Sequence, residues 1–199
     1  MPRIKNRKIT AAIQAVSAFI AGILITFSQS HNADIGMIAL IVMSIGWVIA
    51  FGWAGYAKKE IRARVFRFVI AVASAAMIPV AFATLSNIGG SSAPIEGTPE
   101  EYAWGLLASW GYLGAIVELI LAFYGKPGSS RRRDHFISAG LAALLGVAQT
   151  VTPTSDAVTH VGAFGAYAVI LAVHLGLVAM SPAKKAGKKS GSNKSKSKK

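Results

Sequence analysis

Two ionisable residues lie inside long apolar runs of the sequence. Glu118 is part of "GAIVELILAF", and His174 is part of "AVILAVHLGLVAM". An ionised carboxylate at bilayer depth costs at least about 2.5 kcal/mol, so Glu118 should face other helices and have a partner or a bound proton. A buried Glu–His pair could respond to protons, contact a substrate, or simply hold two helices together as a polar clamp.

The ends of three apolar segments allow the depths of these residues to be compared. Alignment of the stops "GYAKK", "FYGKP" and "AMSPAKK" places Glu118 level with His174, roughly 9 Å inside the membrane boundary. Gln14 in the first segment could join them, and Arg67 could reach them from the start of the third. We therefore predict an intramembrane polar group of Glu118, His174 and Gln14, either proton-responsive or purely structural.

A second set of titratable residues lies between the apolar segments, in two short loops without Lys or Arg. The set consists of His31, Asp34, Asp156 and His160. Histidine titrates nearest physiological pH, so such residues could sense external acid, and the same residue types could bind a divalent metal. The simpler interpretation is an acidic, solvated outer surface. We keep pH sensing as the functional alternative and predict no metal site.

The composition identifies the kind of protein that must position these residues. Of 199 residues, 53% are hydrophobic and only 15% are charged, and the net charge is +13. This is too apolar for an ordinary soluble domain. The basic residues lie in clusters separated by long uncharged runs, which is typical of a polytopic membrane protein. The absence of cysteine excludes disulfides and thiolate chemistry.

Six apolar segments predict an all-α membrane domain of six transmembrane helices, because backbone amides in lipid must be satisfied within each segment. We expect the helices to form three hairpins, 9–56, 66–124 and 136–180, within a domain covering 1–182. The fifth segment, Phe136–Val151, is short for a membrane span. The low-complexity tail, 183–199, is predicted to be disordered. The six segments are Ile9–Phe27, Gly36–Tyr56, Phe66–Leu85, Tyr102–Tyr124, Phe136–Val151 and Val161–Met180.

The distribution of Lys and Arg predicts the orientation. All 21 of these residues lie at the N-terminus, around the second loop and the start of the third segment, in the fourth loop, or in the tail. The positive-inside rule then predicts that both termini lie on the cytoplasmic side of the membrane. We expect anionic lipid headgroups to contact Arg131, Arg132, Arg133, Lys184 and Lys185. Nucleic-acid binding is disfavoured because no aromatic residue is interleaved in the tail.

Three stretches carry a resemblance to a known family. They are "GYLGAIVELILAFYG", "RRRDHFISAGLAALLG" and "VGAFGAYAVILAVHLGLVAMSP". With three tandem hairpins in about 200 residues, the chain resembles the HdeD-like (DUF308) membrane proteins, in particular an actinobacterial branch. The resemblance implies a multipass plasma-membrane protein, with some members linked to acid resistance. It supplies no catalytic residues.

These observations leave three functions open. The first is a non-enzymatic HdeD-like membrane protein with a role in acid or envelope stress. The second is a small proton-coupled transporter that uses Glu118 and His174. The third is a lipid-acting membrane enzyme or an assembly subunit. No catalytic motif and no cofactor are predicted, and Leu113 stands where a rhomboid-type serine would be required. The sequence leaves a homo-oligomer open.

Overall fold

The computed structural model describes residues 2–57, 60–88, 98–152 and 156–181, and the side chains of 2–5, 87, 88 and 99 lie outside this description. The described residues form six α-helices and no strand. Each helix is long and apolar enough to cross a membrane, which confirms the predicted fold class. The helices are α1 Pro2–Phe27, α2 Ala33–Tyr56, α3 Ile61–Ile88, α4 Pro99–Phe123, α5 Ser130–Val151 and α6 Ala157–Met180.

Four of the helices begin directly after a polar N-cap residue. The side chains of Asn32, Thr98, Ser129 and Asp156 accept hydrogen bonds from backbone N–H groups of the first turns of α2, α4, α5 and α6. Ser129 caps α5, which begins at Ser130, six residues before the predicted Phe136. The fifth helix therefore has 22 residues, and its predicted shortness was wrong.

The helices pair differently from the three predicted hairpins. α1 packs closely on α2, as expected. The other extensive contacts join α2 to α3, α4 to α5, and α1 to α6, whereas α3 touches α4 and α5 touches α6 only sparsely. The helices joined by the second and fourth loops are thus closer partners than those joined by the first, third and fifth loops. Length and apolarity predict that a segment spans the membrane, but they do not predict its neighbours.

A small residue allows one of these helix pairs, α1 and α6, to approach closely. A side chain added at Gly22 in α1 would lie 2.7 Å from Val169 Cγ2 and 3.4 Å from the Val169 backbone nitrogen in α6. The Ala18–Gly22 spacing therefore serves the α1–α6 contact. The similar Gly162–Ala166 spacing does not serve a contact, since a side chain added at Gly162 would meet nothing within 4 Å.

Aromatic residues fill the centre of the bundle, and large apolar residues cover its outside. Trp110 is 1% exposed and packs on Trp47, with 4.8 Å between ring centroids. Phe19, Phe82 and Leu144 are among many large apolar side chains that point outward, as expected for lipid-facing positions. Toward the end of the bundle that carries the arginines, the packing opens into a cavity.

Candidate functional site

A cavity of about 540 Å³ lies among all six helices at the arginine-bearing end of the bundle. Part of its lining is apolar and includes Phe51, Leu121 and Leu175. The remainder is unusually rich in charge for a membrane-embedded site. Charged and polar side chains reach it from α1, α3, α4, α5 and the α2–α3 loop, namely Arg7, Gln14, Glu60, Arg67, Glu118, Arg131, Asp134 and His135.

Glu118 is paired with His135. The Glu118 Oε2 and His135 Nδ1 atoms are 2.6 Å apart, and Glu118 is only 5% exposed. The predicted contact between Glu118 and His174 is not formed; His174 Nε2 lies instead 3.1 Å from the backbone carbonyl of Asp134. The cause is the packing, since α4 lies along α5 and barely touches α6. The aligned depths of Glu118 and His174 gave no information on which faces of the helices meet.

Asp134 connects α5 to α1. Its carboxylate accepts a hydrogen bond from the guanidinium of Arg7, although the two residues are 127 positions apart in the chain. Asp134 lies inside α5, whose N-cap is Ser129, so its side chain does not cap the helix. The Arg7–Asp134 ion pair forms part of the cavity wall. It neutralises Arg7, which is one of the three arginines that line the cavity.

Gln14 lies in the same cavity as Glu118, as predicted, but the two side chains are not hydrogen-bonded. Gln14 is 5% exposed, and its Nε2 atom has no hydrogen-bond partner among the described residues. An unpartnered buried amide costs free energy, because the group has given up its hydrogen bonds to water. Gln14 therefore presents a free donor at the cavity.

The three consecutive arginines at the start of α5 have different surroundings. Arg131 is half-buried and lines the cavity, and its contact with lipid headgroups stays a prediction. The Arg132 guanidinium lies over the rings of Phe123 and Phe136, at 5.9 and 5.4 Å from their centroids. Only Arg133 is largely exposed, as a headgroup contact requires. Lys184 and Lys185 lie outside the described residues.

The predicted outer residues do not form one cluster. Asp34 accepts a hydrogen bond from Asn32, and Asp156 caps α6. His160 is 1% exposed and is stacked on Trp104, with 4.6 Å between ring centroids. Nowhere in the described ranges do three His, Cys, Asp or Glu side chains come together as a metal site requires. The structure places His31 apart from these contacts, in the half-buried loop before α2.

His160 is held by a reciprocal pair of hydrogen bonds with Gln149. The Gln149 Nε2 atom donates to the His160 backbone carbonyl, so its Oε1 atom accepts from the protonated Nδ1 of the ring, 2.7 Å away. The His160 Nε2 atom is buried without a partner in the described part of the chain. This histidine therefore fixes α5 to α6 near the loop that joins them rather than facing solvent.

Asp156 is one of the exposed acidic groups at this end of the bundle. Hydrogen bonds from the Thr159 hydroxyl and backbone N–H lower the pKa of the Asp156 carboxyl. A carboxyl with a lowered folded-state pKa stabilises the fold above its unfolded-state pKa. That contribution is lost as pH falls through the lowered value, so the α6 cap weakens only under strongly acidic conditions.

Sequence reasoning missed His135, the residue that completes the buried pair. The fifth apolar segment was bounded at Phe136, which left His135 just outside it. The helix in fact begins at Ser130, and His135 lies more than one turn inside it. The sequence signal was present in "GSSRRRD", where a serine precedes a run of residues compatible with a first helical turn.

Comparison of the chain with protein-family models, with curated proteins and with solved structures gave no significant match. The resemblance to HdeD-like proteins therefore stays a prediction. What the chain does must be inferred from the cavity and its charged side chains.

Proposed function

We propose that the chain is a small proton-coupled carrier, which binds a solute in the cavity and uses Glu118 and His135 as its proton-binding pair. The observation that carries this proposal is the 2.6 Å contact between these side chains in the wall of a cavity of about 540 Å³. Ionisable residues within membrane helices commonly mark proton or substrate pathways. Histidine also exchanges protons within the physiological range.

The electrostatic surroundings of the pair support a link between solute and proton binding. Glu118 attracts the guanidinium groups of Arg67 and Arg131 without forming an ion pair with either. Any charged solute that entered the cavity would change the field at the pair and hence its proton occupancy. Other charged or titratable groups around the cavity and the pair are Arg7 from α1, Glu60 before α3, Asp134 from α5, and Tyr167 and His174 from α6.

The positive-inside rule supports an orientation in which the arginine-bearing end, and with it the cavity mouth, lies on the cytoplasmic side of the plasma membrane. Coupled movement of a solute and protons is also one way in which a membrane protein relieves acid stress. The carrier proposal is thus compatible with the stress role that the HdeD-like resemblance implies. It requires no catalytic step, and none is proposed.

The carrier function can be tested in proteoliposomes that contain a trapped pH-sensitive dye. Gradients of organic acids, phosphate esters, amines and sugars are applied in turn, and the accompanying pH change inside is recorded. We expect at least one solute class to move protons, and Glu118→Gln to slow this movement at least about tenfold, within the range of general acid–base effects. The matched control is Glu100→Gln, the same change at an exposed position of the same helix. Proton movement with no solute, or equal movement in both variants, would overturn the carrier.

A further inference from the structure

The charged groups of the cavity do not all pair with one another. Asp134 is occupied by Arg7, and Glu118 is occupied by His135. The third acidic group, Glu60, is exposed. Arg67 and Arg131 remain, and neither forms a hydrogen bond or an ion pair with any described residue. Two guanidinium groups in one cavity are therefore available to a ligand.

These two arginines line the same cavity, and the positive charge of Arg131 disfavours that of Arg67. Holding like charges together at the margin of a membrane is costly, and a bound anion would relieve the repulsion. The guanidinium group is planar and carries several N–H donors in a fork that matches the oxygens of a carboxylate, a phosphate or a sulfonate. The unpartnered Nε2 atom of the buried Gln14 is an independent donor in the same cavity.

The apolar part of the lining limits the ligand further. Phe51, Leu121 and Leu175 are buried side chains that line the same cavity as the charged groups. A small inorganic ion would leave most of the 540 Å³ and all of this apolar surface without a partner. Ligand sites are usually apolar cavities with a few polar groups that fix orientation, and this cavity fits an elongated ligand with one charged end.

We propose that the cavity binds an amphiphilic organic anion, with its oxyanion group between Arg67, Arg131 and Gln14 and its apolar portion along Phe51, Leu121 and Leu175. This inference rests on the proposed carrier function for its physiological meaning and names the substrate class of the same site. The anion has two conceivable sources, the headgroup region of an anionic lipid and a free organic acid or phosphate ester. Both present the same chemistry to the arginines.

The probe for this site is octanesulfonate, which remains a monoanion at every working pH. Its binding to the full-length protein in a neutral maltoside detergent is measured by isothermal titration calorimetry. Octyltrimethylammonium has the same alkyl group but a positive charge, so it tests whether the site selects anions. Inorganic sulfate has no alkyl group, so it tests whether binding needs the apolar portion of the ligand. We expect octanesulfonate to bind and the other two probes to bind at least about tenfold more weakly. The cation cannot accept the charge-assisted hydrogen bonds of the arginines, and sulfate has no apolar portion to bury.

Substitutions with matched controls locate the binding. Arg67→Gln and Arg131→Gln should each weaken octanesulfonate binding about tenfold, and the double variant should abolish it. The controls are Arg62→Gln and Arg133→Gln, the same change at exposed positions of α3 and α5. Equal affinity for the cationic probe, or wild-type affinity in the double cavity variant, would overturn the proposal. Retained solubility and helix content establish that each variant is folded.

A second arm separates the two sources of the anion. The protein is placed in nanodiscs of phosphatidylcholine, with or without phosphatidylglycerol, and octanesulfonate binding is measured again. If octanesulfonate binds more weakly in the anionic nanodiscs, and the single arginine variants remove this difference, the site is assigned to a lipid headgroup. Equal binding in both assigns it to a free anion. Probe binding without solute-coupled proton movement would overturn the carrier alone, and proton movement driven only by cations or sugars would overturn the anion site alone.

Discussion

Replacing His135 with leucine is expected to lower the free energy of unfolding by about 2–4 kcal/mol, because it leaves Glu118 buried without its partner. The double variant Glu118→Leu/His135→Leu should recover much of this loss, since the uncompensated carboxylate is then absent. The physical basis is the 2.6 Å contact at a carboxylate that is 5% exposed. Unfolding in mixed detergent micelles, followed by circular dichroism, measures both values.

His31→Leu is the matched control for this prediction. His31 lies in the loop before α2, away from the cavity, and its substitution should change the free energy of unfolding by less than about 0.5 kcal/mol. The losses of unfolding free energy caused by Glu118→Leu and His135→Leu should be strongly non-additive, as expected for side chains in contact. A double variant whose destabilisation equals the sum of the two single losses would show that Glu118 and His135 do not depend on each other.

Gly111→Ala is expected to destabilise the protein by about 1–3 kcal/mol through overpacking between α4 and α5. A Cβ atom at this position would lie 2.5 Å from the Gly146 backbone nitrogen and 2.8 Å from its Cα atom. Both atoms belong to the backbone, so the contact can be relieved only by separating the two helices. That separation would also disturb the neighbouring positions from which Glu118 and His135 meet.

The control for this substitution is Gly105→Ala in the same helix. A Cβ atom at Gly105 would meet nothing within 4 Å, so the change should be neutral or stabilising by up to about 1 kcal/mol, as alanine has the higher helix propensity. Thermal unfolding of both variants in the same detergent provides the comparison. Equal melting temperatures for the two alanine variants would contradict the close crossing of α4 and α5.

Hydropathy predicted the six helices because each segment must satisfy its own backbone in lipid, whatever its neighbours are. Helix starts were less predictable. α1 and α3 begin earlier than the apolar runs Ile9–Phe27 and Phe66–Leu85, since basic first turns continue the helix beyond the apolar region. The pairing of helices was not predictable, because it depends on contacts such as Gly111 against Gly146 that no single segment reveals.

The candidate site was predicted only in part, because the sequence gives the depth of a residue in the membrane but not the direction of its side chain. The cost of a carboxylate in the membrane identified Glu118, and its depth correctly suggested Gln14 and Arg67 as residues of the same region. The partner was wrong because the alignment of helix ends fixes depth alone. The direction in which a side chain points depends on how α4 and α5 pack, and this packing brings His135, not His174, to Glu118.

The outer residues illustrate the opposite error. His160 was expected in an exposed acid-sensing set because it lies between a polar loop and an apolar segment. Its ring is instead buried against Trp104 and Gln149, which are distant in sequence. Exposure at the end of a membrane helix is a property of the tertiary structure. A His in this position therefore gives no reliable sequence signal for solvent contact.

The central claim, that an anion site and a proton site share one cavity, is tested most directly by counting protons during binding. Octanesulfonate is titrated into the protein by calorimetry in buffers of different ionisation enthalpy, between about pH 5 and 8, where histidine exchanges protons. A bound anion favours protonation of nearby groups, so wild type should take up protons, and the double variant Glu118→Gln/His135→Gln should bind with little or no uptake. Binding without proton uptake by wild type, or equal uptake by the double variant, would contradict the coupling of the two sites.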